Sequence, residues 1–144
     1  MRLSNVGARW RSVSPYLLSI LRIIAAFLYM QVGTAKFVAF PAAVMPDGGT
    51  APITTLPGVA GVIETFGGSL LLLGWFTRPV AFILSGEMAT AYFLDHAPLG
   101  FWPLLNQGAP AVFYCFLFLY MSSAGGGRWS LDYLMSRKRG TSPD

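Results

Sequence analysis

Charge is what this chain has least of. Asp, Glu, Lys and Arg make up 11% of its 144 residues, against 54% hydrophobic residues. A soluble domain carries about a quarter charged residues, so the composition excludes a surface that faces water on all sides. There is one cysteine, Cys115, which excludes an intrachain disulfide and a C-x-x-C redox pair. It reads as a small apolar filler. There is one histidine, His96, and the pair Cys115 and His96 is too sparse for a zinc, haem or iron–sulfur ligand set. No P-loop, dinucleotide fingerprint or catalytic-triad spacing occurs, and no internal repeat or low-complexity tract is evident. No basic–aromatic array points to nucleic acid.

What the chain has instead is bilayer-length apolar runs. Four are read, over residues 16–40, 56–76, 79–94 and 108–124. A crossing helix needs about 20 residues; the first two runs qualify alone, and the last two are short enough to borrow from the greasy loop between them. That loop carries Phe101, Trp102, Leu104 and Leu105 and suits an interfacial position. The expected architecture is an all-α, integral membrane four-helix bundle forming a single domain over 1–135. Ser130–Met135, after the Gly125–Gly127 break, reads as a short interfacial helix, and 136–144 as a disordered cytoplasmic tail. A cleaved signal peptide is the competing reading of the N-terminus, but the first run is too long, contains Arg22 and Lys36, and lacks an A-x-A site.

The distribution of bases sets an orientation. Outside the runs they are Arg2, Arg9, Arg11, Arg78, Arg128, Arg137, Lys138 and Arg139, while segments 41–55 and 95–109 have none and carry Asp47 and Asp95. The positive-inside rule then places both termini and the 77–78 turn in the cytoplasm. The net charge of +4 implies contact with anionic lipid.

Four ionisable residues lie within the runs: Arg22, Lys36, Glu64 and Glu87. A charge in hydrocarbon costs several kcal/mol and normally faces the bundle interior with a partner. Arg22, Ala26, Tyr29, Gly33 and Lys36 recur at steps of three and four, as do Gly61, Glu64 and Gly68, so each set shares one helix face. Small residues mark the side where membrane helices approach closely. Depth counted along the helix pairs Arg22 with Glu87 in the inner half and Lys36 with Glu64 in the outer half; Arg22 with Glu64 is the crossed alternative. These four are the candidate catalytic residues. They read equally as a structural ion-pair network and as the lining of a polar pocket. Asp95 and His96 could orient a quinone headgroup or shuttle a proton, or simply cap a wet helix end. Phe113, Tyr114, Phe116, Phe118 and Tyr120 read as lipid-facing or packed aromatics.

Several motifs in order resemble one family. They are L-R-x(10)-G-x-x-K over Arg22, Gly33 and Lys36; IETFGGSLLLLGWFTRPVA; MATAYFLDHAPLGFWPLLNQG; and AVFYCFLFLYMSSAGGGRWSLD. Together, over Leu18 to Asp132, they are similar to the DoxX family of small four-helix bacterial membrane proteins. By that resemblance Arg22, Lys36, Glu64, Gly67, Gly68, Gly74, Thr77, Arg78, Asn106, Gly108, Tyr114 and the Gly127–Asp132 exit fall on recurrent positions. Lys36, Glu64, Asp95, His96, Asn106 and Tyr114 become the candidate ligand-binding set. Relatives often carry a glutamate just after the N-Q-G turn, where this chain has Ala109-Pro110. The resemblance implies a multi-pass protein of the bacterial inner membrane, redox-associated, with quinone as a substrate and no resident cofactor or metal. Electrons would come from a small sulfur compound such as thiosulfate. Alternatives are a scaffold for soluble redox enzymes, engaged through Arg78 and Arg128–Arg139, and a small-solute or proton pathway, for which four short helices leave room only in a homo-oligomer.

Overall fold

The computed structural model of the chain describes residues 2–140, with side chains from residue 7 onward. It is all-helical among those residues: α1 (Arg2–Val38), α2 (Leu56–Leu73), α3 (Thr77–Ala91), α4 (Ala109–Ala124) and α5 (Leu131–Arg139). Two stretches, Gly7–Val38 and Leu56–Leu73, are long and apolar enough to cross a membrane. The third run is lengthened from its own C-terminal end. Five residues of π-helix (Tyr92–His96) and three of 3₁₀-helix (Ala97–Leu99) continue it. The fourth borrows nothing from the loop, because Pro110 occupies the first turn of α4, where a missing N–H is harmless. α1 begins well before residue 16, and its first turns project beyond the bundle with Trp10 exposed.

Helices α1 and α2 pack as one close pair and α3 and α4 as another, with a looser seam between α2 and α3. Glycine explains the first pair. A Cβ on Gly33 would sit 2.6 Å from the backbone nitrogen of Thr65, and one on Gly68 would sit 3.0 Å from Met30 Cβ. Removing side chains there lets the two backbones touch. Gly33→Val is therefore expected to force α1 and α2 apart and lower stability by about 1–3 kcal/mol, the usual range for overpacking. A thermal melt in lipid nanodiscs that matches the unsubstituted protein would contradict this packing. In the second pair Ser85 donates from α3 to the carbonyl of Cys115 on α4 at 2.8 Å, so Cys115 serves as a packing and backbone contact.

The polarity of the bundle is inverted relative to a water-soluble one. Ser19, Arg22, Glu64 and Thr77 are buried, while Phe27, Phe66, Phe82 and Phe116 are more than half exposed. A surface helix in water turns its charged face outward; here the outward face is apolar on all four long helices.

The end of the molecule that carries α5 is held by a dense set of bonds. Gly74 ends α2 at φ 68°, a left-handed conformation natural to glycine. A side chain there would also meet Ser130 Cβ at 2.5 Å. Asp132 of α5 accepts from the backbone N–H groups of Phe76 at 2.9 Å and Thr77 at 2.8 Å. It caps α3 from outside the helix, where an anion suits the dipole. Ser130 caps α5 itself, accepting from Tyr133 N at 3.2 Å. α5 runs on through Ser136–Arg139 rather than ending at Met135. Its last turn carries Arg137, Lys138 and Arg139, cations that favour a helix C-terminus. The disordered tail read from Ser136 is corrected to that extent, and residues 141–144 lie outside the described residues.

Candidate functional site

The four charges within the apolar runs do not form the two ion pairs that depth alone suggests. One forms: Lys36 Nζ lies 2.8 Å from Glu64 Oε1. Lys36 comes from the last turn of α1, and Gly61, one turn before Glu64, makes room for it, since a Cβ at Gly61 would meet Lys36 Cβ at 3.1 Å. Glu64 is 1% exposed, and its second oxygen, Oε2, is buried with no partner among the described residues.

The other pair is overturned. Among the described residues Arg22 bonds no carboxylate, Glu87 and Glu64 included; it is fully buried and donates to backbone carbonyls. Nε reaches Gly126 O at 2.9 Å, Nη1 reaches Leu72 O at 2.6 Å and also Leu71 O, and Nη2 reaches Trp129 O at 2.7 Å. Leu71 and Leu72 lie in the last turn of α2, whose free carbonyls form the negative end of the helix dipole. A guanidinium presents several donors in a rigid fork and can satisfy several such oxygens at once. Arg22 is therefore a structural tie between α1, the end of α2 and the α4–α5 loop. Glu87 finds another partner, the hydroxyl of Tyr29, which donates to its Oε2.

A cavity of about 600 Å³ opens where α1, α2 and the far end of α3 meet. Its polar lining is Lys36, Glu87, Thr90 and Asp95. Its walls are apolar, with Leu56, Val59, Ile63, Ile83 and Leu94 among them. It lies at the loose α2–α3 seam, which is why space remains there. A mostly apolar concavity with a few convergent polar groups is the usual form of a small-molecule site.

Of the other candidates, Asp95 reaches this cavity and the rest do not line it. His96 faces the loop instead: its Nδ1 lies 3.0 Å from Asn106 O, and since a carbonyl only accepts, Nδ1 carries the proton in that bond. Asn106 is buried, donates to Gly100 O at 2.8 Å and accepts from Gly108 N at 2.8 Å. Both residues shape the turn before α4. Tyr114 packs against Tyr29 and Phe118, each with ring centroids 5.4 Å apart. It supports the Tyr29–Glu87 bond at one remove. Tyr29 was legible as part of the Arg22–Lys36 stripe, but a hydroxyl draws no attention in a search for charges. Asp132 falls on the family-like exit, but its capping of α3, like the place of Thr90 in the cavity lining, depends on which elements meet in space.

The DoxX family model matches residues 17–97. That covers both tight-packing glycine stripes and all four cavity-lining polar residues, and stops short of the N-Q-G turn and the Gly127–Asp132 exit. A Haemophilus influenzae protein, described as uncharacterized, is 47% identical over 127 residues, covering 86% of this chain and 94% of its own length. An uncharacterized membrane protein of Mycobacterium tuberculosis is 26% identical over 132 residues, covering 82% of this chain and 80% of its own. No solved structure matches. The extent of these matches shows that the chain belongs to the DoxX family.

Proposed function

We propose that this protein is a four-crossing subunit of the bacterial inner membrane that binds a quinone in the cavity beside Lys36 and Glu87. Both termini lie on the cytoplasmic side in this reading. The end bearing α5 carries Arg78, Arg128 and Arg137–Arg139, and among the described residues the cavity end carries Lys36 as its sole Lys or Arg, in keeping with the positive-inside rule. The observation that carries the functional reading is the cavity itself. Its walls suit an aliphatic tail entering from the bilayer, Lys36 can donate to a quinone carbonyl, and the Tyr29–Glu87 bond holds a proton beside it.

Reduction of a quinone consumes two electrons and two protons. Oxidising two thiosulfates to tetrathionate releases two electrons. The cavity lining assigns no place to the sulfur anion, because Lys36 is neutralised by Glu64 and Glu87 and Asp95 repel it. This reading therefore places sulfur oxidation, and the centre that relays its electrons, on a partner protein. α5 offers a surface for such a partner, or for lipid headgroups, with exposed Leu134 and Met135 beside its terminal cations.

The test is equilibrium binding of decylubiquinone to the protein in nanodiscs, with empty discs subtracted. Saturable binding is expected, weakened at least tenfold by Ile63→Trp, which fills the cavity. Affinity unchanged in a folded Ile63→Trp protein would overturn the site.

A further inference from the structure

The charge balance around the cavity selects among ligands. One ammonium, Lys36, stands against three carboxylates: Glu64 behind it, Glu87 in the lining and Asp95 at the exposed rim. Lys36 is already held at 2.8 Å by Glu64, whose other oxygen has no protein partner. If one carboxyl carries a proton, the balance is still negative. The surroundings reinforce it, since segments 41–55 and 95–109 contain no Lys or Arg and add Asp47. A concavity lined by one sign of charge with low-dielectric walls concentrates the field and attracts the opposite sign. Thr90, the remaining polar lining residue, directs its hydroxyl to its own helix at Gly86 O, 2.9 Å away.

We infer that the cavity takes amphipathic organic cations, with the apolar body against Val59, Ile63 and Ile83 and the positive head beside Glu87 and Asp95. The inference rests on reading this cavity as a ligand site, and is independent of quinone chemistry. It is the feature that separates this pocket from one built for sulfur anions: the base that would draw an anion is occupied by Glu64, and the other charged lining groups, Glu87 and Asp95, are carboxylates.

Tetraphenylphosphonium and tetraphenylborate provide probes of matched shape and opposite charge. Each would be titrated by equilibrium dialysis against the protein in phosphatidylcholine nanodiscs, with empty discs measuring partition into lipid. The cation is expected to show a saturable component of one per chain, and the anion none. Glu87→Gln with Asp95→Asn should weaken the cation at least tenfold. Thr90→Lys, a change at an exposed position that leaves both carboxylates in place, should abolish the saturable component while the melting temperature stays the same. Equal saturable binding of both probes, or cation binding indifferent to Thr90→Lys, would overturn the inference. Decylubiquinone run in parallel separates the two readings. Quinone binding without cation binding sinks only the inference, and cation binding without quinone binding sinks only the quinone reading. If neither ligand binds, both fail.

Discussion

Arg22→Met is expected to destabilise the protein more than any other single substitution in the bundle. The change removes the donors that satisfy Leu71, Leu72, Gly126 and Trp129 carbonyls in one buried place. A net hydrogen bond to a charged group is worth about 1.5–3 kcal/mol, and leaving a buried acceptor unpaired adds a desolvation penalty. These contributions are not additive, so the expected loss is on the order of 3–5 kcal/mol, the upper range for a single substitution that breaks a buried hydrogen-bond network. Arg22→Lys should recover only a fraction, because an ammonium is a compact point charge and cannot present the planar fork that reaches two chain segments at once. Thermal unfolding in detergent, followed by circular dichroism, is the measurement. An Arg22→Met protein that melts at the wild-type temperature would refute the structural role assigned to this residue.

Lys36→Met is expected to have an effect of similar size by a different route. It leaves Glu64, 1% exposed, with neither carboxylate oxygen partnered, since Oε2 already has no protein partner. Removing the partner of a buried charge costs up to about 3–5 kcal/mol, whereas replacing both with apolar residues of similar volume is often neutral or better. The double variant Lys36→Met with Glu64→Leu should therefore melt well above the single Lys36→Met, and the exchange Lys36→Glu with Glu64→Lys should be better tolerated than either half of it. If the double variants are no more stable than the singles, the pair contributes nothing as a pair.

These two residues also show how far the sequence could be read. Lys36 and Glu64 were found as partners because both sit at similar depth on faces marked by glycine, and charge with charge is the pairing such counting looks for. Arg22 was assigned to Glu87 on the same logic and bonds elsewhere. Its actual partners are main-chain oxygens at a helix end and in the loop after α4, which a tally of side-chain charges cannot register. Once Arg22 is taken by backbone, Glu87 needs another donor, and Tyr29 supplies it from the stripe already recognised on α1. The number and order of helices followed from the apolar runs. The boundaries were less legible: α1 and α5 extend beyond the bundle, where hydropathy carries no signal and the helix is set by local propensity and by the Ser130 cap. A polar pocket was one reading of the charges, but its place and apolar walls were not legible, because they depend on the two helix pairs meeting loosely along α2 and α3.

The placement of Arg22 has a consequence for biosynthesis. It emerges from the ribosome with the first helix, yet two of its acceptors, Gly126 and Trp129, are translated more than a hundred residues later. Leu71 and Leu72 become available only after the second helix is made. Until residues 126–129 are made, the guanidinium lacks those two acceptors, and its packing is completed only with the loop after α4. Chains truncated before residue 126 should then be favoured substrates for membrane quality-control proteases, with Arg22 as the exposed feature that marks them as incomplete.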